Sequence, residues 1–276
     1  MAGGRTRWIR WAVTVALGLC IAVLAVTVVV PVLTDHDPSG IAMPVGDLPL
    51  WRQVFTENFT TDVAPGQFPG PYSSRWTSYN GFRDTSGVGY YDQSIISTHD
   101  GMLDLHLQTR DGRPLGAAPV PLVTGQWGGQ TYGRFSVRFK ADPLTGFGTG
   151  WLLWPDSEKW NEGEIDFPEG ALDGTIHAYN HCVGDAARLC MQSDTGVSYL
   201  DWHTATIEWT PERITYLLDD LVVASTEGSV PQTPMHWVLQ TATTGVRPAP
   251  SAQGHVWVDW VVIYAYDGPA HPAASG

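Results

Sequence analysis

The chain has 276 residues, of which 43% are hydrophobic, with a formal charge of −13 at neutral pH; this is room for one large domain or two small ones around a sizeable core, and it excludes disorder throughout. Three of the 15 basic residues (Arg5, Arg7, Arg10) precede any acidic one, which leaves 12 basic against 28 acidic residues, a balance of −16, in the remainder; such a surface repels nucleic acid and favours neutral or cationic partners. No CxxC pair, zinc-type Cys/His spacing or phosphate-cradling glycine motif occurs, so metal-thiolate, redox and nucleotide chemistry lack support and no cofactor is required.

From Trp11 to Leu33 there are 23 residues without a charge, preceded by the three arginines. Residues 1–34 are therefore read as a basic region and a transmembrane signal-anchor helix with its basic end in the cytoplasm. A cleaved signal peptide is the alternative, although its apolar region is usually about 7 to 15 residues and no clear cleavage site follows here. Everything after Thr34 is then extracytoplasmic, tethered to the membrane by this helix or secreted if it is removed. Residues 35–50 contain Asp, Pro, Gly and Ser without sustained periodicity and read as a linker that holds the next domain off the membrane.

The domain proper spans 51–267, and 268–276 read as a disordered tail. Short alternating runs bounded by Gly, Pro, Asn and Asp, such as Met102 to Gln108, Gly133 to Lys140, Ala205 to Trp209 and Val256 to Tyr264, predict many strands. In the second of these, Phe135, Val137 and Phe139 share one face while Arg134, Ser136, Arg138 and Lys140 share the other, as a half-buried strand requires. Helix has no comparable claim in this region, and no βαβ rhythm appears. An all-β sandwich of two antiparallel sheets is expected. No repeat of fixed period supports a propeller with blades of roughly 40 residues. A monomer is expected.

The densest acidic feature is Asn161-Glu162-Gly163-Glu164-Ile165-Asp166-Phe167-Pro168-Glu169-Gly170. On a regular strand Glu164 and Asp166 point to one face, but Glu169 points to the other. A β-bulge at Phe167-Pro168 would restore the phase, and proline inside a strand is tolerated chiefly at bulges or edges. Three carboxylates on one face repel, and crowding raises at least one pKa, which supplies an acid beside a base. Retaining glycosidases need two carboxyl groups about 5 to 5.5 Å apart, a separation that neighbouring positions on one strand can provide. An exposed acidic strand or a calcium site is the competing reading. Trp151, Trp154 and Trp160 precede the cluster, and indole faces suit the C–H faces of sugar rings; since a strand tryptophan is more often core, one or two of the three are expected at a sugar.

These residues resemble the family 16 glycoside hydrolases, whose laminarinase-like branch carries a Glu-x-Asp-x-x-Glu signature matched by Glu164, Asp166 and Glu169. The resemblance continues through Trp51 to Phe59, Asp100 to Leu103, Thr131 to Phe135, Gly150 to Leu153, Ile207 to Pro211 and Val256 to Tyr264. It implies a concanavalin A-like β-jelly-roll sandwich whose concave sheet holds a glycan cleft. It further implies Glu164 as nucleophile, Glu169 as acid/base, Asp166 assisting and His177 near the acid/base. The implied substrate is a polysaccharide, by default a β-1,3- or mixed-linkage glucan cut at internal bonds. A transglycosylase sharing the same intermediate, or a non-catalytic glycan-binding module, are the alternatives; the second would not need all three carboxylates. Glu57, Gly101 and Asp259 are similar to positions that hold a structural calcium ion on the family's convex face.

Two stretches depart from the family pattern: the loop Trp160 to Gly163 is one residue short, and Ile176 to Leu200 has no counterpart. The second contains Cys182 and Cys190. Because Cys20 lies in the apolar N-terminal run and the domain lies in an oxidising compartment, Cys182 and Cys190 are expected to form a disulfide beside the cleft.

Overall fold

A computed structural model describes residues 37–269 of the chain. The apolar run from Trp11 to Leu33, Cys20 within it, and residues 270–276 of the expected tail lie outside the described residues. Among those described, no helix is long and apolar enough to cross a membrane, and the helical content is three 3-10 turns of three residues each.

The described residues form seventeen strands. The first seven are β1 (Trp51–Glu57), β2 (Trp76–Ser78), β3 (Tyr90–Tyr91), β4 (Ile96–His99), β5 (Met102–Arg110), β6 (Arg113–Gly116) and β7 (Pro119–Pro121). There follow β8 (Gly133–Ala141), β9 (Phe147–Pro155), β10 (Glu164–Ala171), β11 (Thr175–Cys182) and β12 (Asp185–Ser198). The chain ends with β13 (His203–Trp209), β14 (Ile214–Leu218), β15 (Leu221–Thr226), β16 (Met235–Thr243) and β17 (Gln253–Tyr266). The four strands expected from alternation are all present, each longer by one to five residues.

Two sheets carry the architecture. One runs β15-β14-β13-β8-β17-β5-β6-β3, with β1 added on β17 and β4 on β5; the other runs β12-β11-β10-β9-β16. Pairing is antiparallel except between β3 and β6, which run parallel over two residues. A small third sheet pairs β2 with β7.

The sheets meet through the alternate residues that the period-two pattern points inward. Phe135 of β8 meets Trp237 of β16 at 5.6 Å between ring centroids, and Phe139 meets Trp151 of β9 at 5.1 Å. Ile165 and Phe167 of β10 enter the same cluster, as do Leu103, Leu105 and Leu107 of β5. Each fully buried side chain of this size contributes about 1.5–3 kcal/mol. Exposed ion pairs such as Arg52–Asp267, more than half exposed on both sides, are worth about 0–1 kcal/mol. Burial therefore holds the sandwich together.

The segment expected to be a linker is instead docked on the larger sheet. Asp259 accepts from the Ser39 amide at 3.1 Å, Arg138 Nε donates to Ser39 Oγ at 3.1 Å, and Trp260 Nε1 donates to the Ile41 carbonyl at 3.0 Å. Gln53 bonds both to the Gly46 amide and to the Pro44 carbonyl, and Met43 packs against the cluster of Trp51, Trp260, Val262 and Tyr264. This strap is why Ser136 and Arg138, on the face of β8 expected to meet water, are 3% and 5% exposed.

Candidate active site

Strand β10 lies in the middle of the five-stranded sheet, with β9 and β11 on either side. Its ladders to both neighbours lose register between Asp166 and Glu169, which is the bulge expected at Phe167-Pro168. One face of β10 is thereby committed to the core through Ile165 and Phe167. The other face carries Glu164, Asp166 and Glu169 in one row, and Glu169 lies opposite Gly150 on β9 and His177 on β11. A side chain at position 150 would meet the Gln240 amide nitrogen at 3.2 Å, so the glycine keeps the space beside Glu169 open.

The three carboxyl groups are electrostatically distinct. Burial, then repulsion from Glu164, pushes Glu169 up to about 7. Burial, then repulsion from Glu164 and Glu169 and a hydrogen bond to Glu164, holds Asp166 well above the usual carboxylate range. Glu164 is also raised by burial, but His181, a hydrogen bond from Trp160 and one with Asp166 all oppose the shift. Trp160 Nε1 donates to Glu164 Oε2 at 2.5 Å. At neutral pH the row thus holds one carboxyl near its midpoint beside another that has three neighbours favouring its ionised form, the environment in which an acid and a nucleophile can be told apart.

Two hollows flank the row on the outer face of the sheet. One of about 250 Å³ is lined by Tyr79, Thr85, Leu152, Trp154, Glu158, Glu164, Val238 and Gln240. The other, of about 410 Å³, lies at Glu169 between Gly148, Thr149, Gly150, Gln240 and Thr243. Gln240 and Thr85 belong to both. The Gln240 side-chain carbonyl accepts from Tyr91 at 2.6 Å and from Thr85 at 3.0 Å.

Of the three tryptophans, one or two of which are expected at a sugar, the structure brings two to the cleft. Trp154 lines the first hollow, its Nε1 donating to Glu158 at 2.9 Å, and Trp160 is 41% exposed above Glu164. Trp151 is a correction. It is fully buried in the main core against Phe139, because position 151 has the opposite parity from Leu152's and Trp154's face of β9. His177 stands across from Glu169, its ring parallel to Tyr179 at 5.8 Å and its Nε2 3.2 Å from Thr175 Oγ1. Cys182 and Cys190 are bonded to each other across the β11–β12 hairpin.

Glu57, Gly101 and Asp259, similar to calcium-holding positions, do not fit a calcium site as they are placed. Glu57 Oε2 lies 3.3 Å from Arg75 Nε, and its Oε1 accepts the Asn58 and Phe59 amides. Gly101 sits in the β4–β5 turn with φ 72°. Asp259 offers one oxygen without a hydrogen-bond partner, whereas calcium takes about 6–8 oxygen ligands, and a guanidinium on Glu57 repels a cation.

His181 is the site residue that sequence reasoning missed. It faces Glu164 across the β10–β11 ladder, and its Nε2 is 3.5 Å from Asp166 and 3.8 Å from Glu164. A signal existed: His177, Tyr179 and His181 share one parity on the strand after the carboxylates. Tyr79, Thr85, Tyr91 and Gln240 come from strands and loops remote in sequence, and nothing local marks them.

Residues 123–262 match the profile of the family described as glycosyl hydrolases family 16. A curated relative, a beta-glucanase of Rhodothermus marinus, is 35% identical over 115 residues, which cover 36% of this chain and 39% of the relative; the match spans about two fifths of that relative's length. The crystallised laminarinase from Rhodothermus marinus superposes with a TM-score of 0.64 at 22% identity, over 79% of this chain and 99% of that one. A laminarinase from Flavobacterium sp. UMI-01 gives 0.63 at 15% identity, over 77% and 100%. At these identities the solved structures show a common fold.

Proposed function

The chain belongs to the family 16 glycosyl hydrolases, and from that premise we propose that it is a retaining endo-β-glucanase acting on a β-1,3- or mixed-linkage glucan outside the cytoplasm. The observation that carries this reading is the row of three carboxyls, with Glu169 at about 7 beside a Glu164 bonded to Trp160. In the first step a Glu164 oxygen bonds to the anomeric carbon as the glycosidic C–O bond breaks, and the Glu169 proton passes to the departing sugar oxygen. In the second, Glu169 takes a proton from water while that water's oxygen displaces Glu164 from the sugar. Asp166, its carboxyl raised well above the usual range by burial and by the charges of Glu164 and Glu169, hydrogen-bonds Glu164. Trp154 and Trp160 supply apolar faces for the glycan, and His177 stands opposite the acid/base.

The Cys182–Cys190 bond and the apolar run ahead of the domain support an extracytoplasmic location, with the run as the membrane tether. The β-glucanase relative supports a glucan substrate. Azide rescue tests the roles of the two glutamates. With an aryl β-glucoside, Glu169→Ala should stall as a glycosyl-enzyme and release a β-glycosyl azide, whereas Glu164→Ala should give the α-glycosyl azide, read by proton NMR of the anomeric signal. If both variants still hydrolyse glucan substantially, the carboxylate assignment is wrong. Products longer than the donor would instead mark a transglycosylase.

A further inference from the structure

The loop closed by Cys182 and Cys190 makes contacts that the sandwich itself does not require. The Ala186 carbonyl within it lies 2.6 Å from His181 Nδ1. A carbonyl can only accept, so Nδ1 carries a hydrogen, and Nε2, turned to the acceptor oxygens of Glu164 and Asp166, holds them as a donor in the imidazolium form. Asp166 Oδ2, the atom nearest Nε2 at 3.5 Å, is buried and has no hydrogen-bond partner among the described residues. The same loop reaches the second group that fixes Glu164. Its Gly184 amide donates to the Asn161 carbonyl at 2.7 Å and its Ala186 amide to Asn161 Oδ1 at 3.2 Å. Asn161 adjoins Trp160, whose ring lies 5.5 Å from His181 and whose Nε1 holds Glu164. The far side of the loop is moored by the Val183 amide on Ser229 Oγ at 2.6 Å.

We infer that the disulfide-closed loop 183–189 is a positioning device for the nucleophile: through the Ala186 carbonyl it orients His181, and through Asn161 it seats Trp160, so that Glu164 is gripped from two sides. The inference rests on the glycosidase reading, with Glu164 as the nucleophile. His181 acts through Glu164 and Asp166 and is a positioning residue. Freed of Ala186, the imidazole could rotate and present either nitrogen to the carboxylates, and the loop's hold on Asn161 would relax together with it.

A double-mutant cycle on the full chain tests this, with turnover of β-1,3-glucan and, independently, ¹⁵N NMR of the imidazoles. Cys182→Ser with Cys190→Ser, and His181→Ala, should each lower kcat on the order of tenfold to a hundredfold, as displaced positioning groups do, with KM within about twofold. All variants together should fall little further than the worst of them, because loop and histidine act on one step. His181→Gln, which places an amide near Nε2, should recover part of the loss. In the wild-type protein the His181 imidazole should carry a hydrogen on Nδ1. Losses that multiply in the combined variant, or a folded double-serine variant with unchanged kcat, would overturn the inference. So would a neutral His181 protonated on Nε2 alone, a result that needs no variant to fold. Failure of the glycosidase reading looks different: wild type would turn over no glucan, while the NMR would still find Nδ1 protonated.

Discussion

Glu169→Gln should stabilise the protein as it silences it, and should do so only at the upper end of the pH scale. Burial and the Glu164 charge raise this carboxyl from 4.5 to about 7, so the folded chain holds a proton there that the unfolded chain has released. Stability accordingly falls as pH rises from about 4.5 to about 7 and is flat on either side of that window. Above it the ionised carboxylate costs the folded state on the order of 3 kcal/mol by the size of the shift. Part of that cost is shared with Glu164, whose charge repels Glu169, so a gain of about 1–3 kcal/mol is expected for the glutamine at pH 8. Urea unfolding at pH 4.5, 6 and 8 reads it as a rise in midpoint at constant slope, growing with pH relative to wild type. Activity moves oppositely: loss of the proton donor should lower polysaccharide turnover about 10²–10⁴-fold, and wild-type kcat should decline as pH rises through about 7. A midpoint difference independent of pH, or a wild-type alkaline limb far from 7, would refute the account of Glu169.

The two faces of β9 predict opposite phenotypes for two nearby tryptophans. Trp154→Ala should raise KM for glucan on the order of tenfold with little change in melting temperature, whereas Trp151→Ala should cost about 3–5 kcal/mol of stability and affect KM little in the protein that stays folded. Thermal melts beside Michaelis kinetics separate the two, and a large KM effect from position 151 would mean that β9 has been read with the wrong parity. The strap predicts a second contrast. A chain beginning at Pro44 loses the Ser39 bonds to Asp259 and Arg138 and the Ile41 bond to Trp260, and should be less stable than one beginning at Asp37 by about 1–3 kcal/mol, the usual cost of orphaned buried polar groups. Equal urea midpoints would show that the strap adds nothing.

Period-two alternation carried the strands, and the five-residue step from Glu164 to Glu169 carried the bulge, because a parity conflict inside a carboxylate motif has one economical repair and Pro168 marks its place. The parity of Trp151 was less legible. Its odd spacing from Trp154 required the two to face opposite ways, but which of them faced the cleft depended on the pairing of Gly150 with Glu169, a fact about a neighbouring strand. His181 was readable in principle as the third member of a same-face row, and what hid it was the absence of any partner in sequence: its contacts come from β10 and from a loop ordered by a disulfide. The strap left no periodic signature, since it binds through single groups, the Ser39 hydroxyl and amide and the Ile41 carbonyl. Its trace lay elsewhere, in β8, where Ser136 and Arg138 occupy the face that alternation assigns to water. A polar side chain on the outer face of a strand therefore specifies only that it needs a polar partner, and here Thr206, Ser39 and Asp219 fill that need where solvent was expected. The same principle governs β10. Glu164, Asp166 and Glu169 sit on an outward face without being freely hydrated, so burial raises all three. What distinguishes them is the company each keeps: hydrogen-bond donors at Glu164, and at Glu169 chiefly the charge of Glu164. The roles proposed for the two glutamates rest on that difference in partners, since the residue type and the strand are common to both.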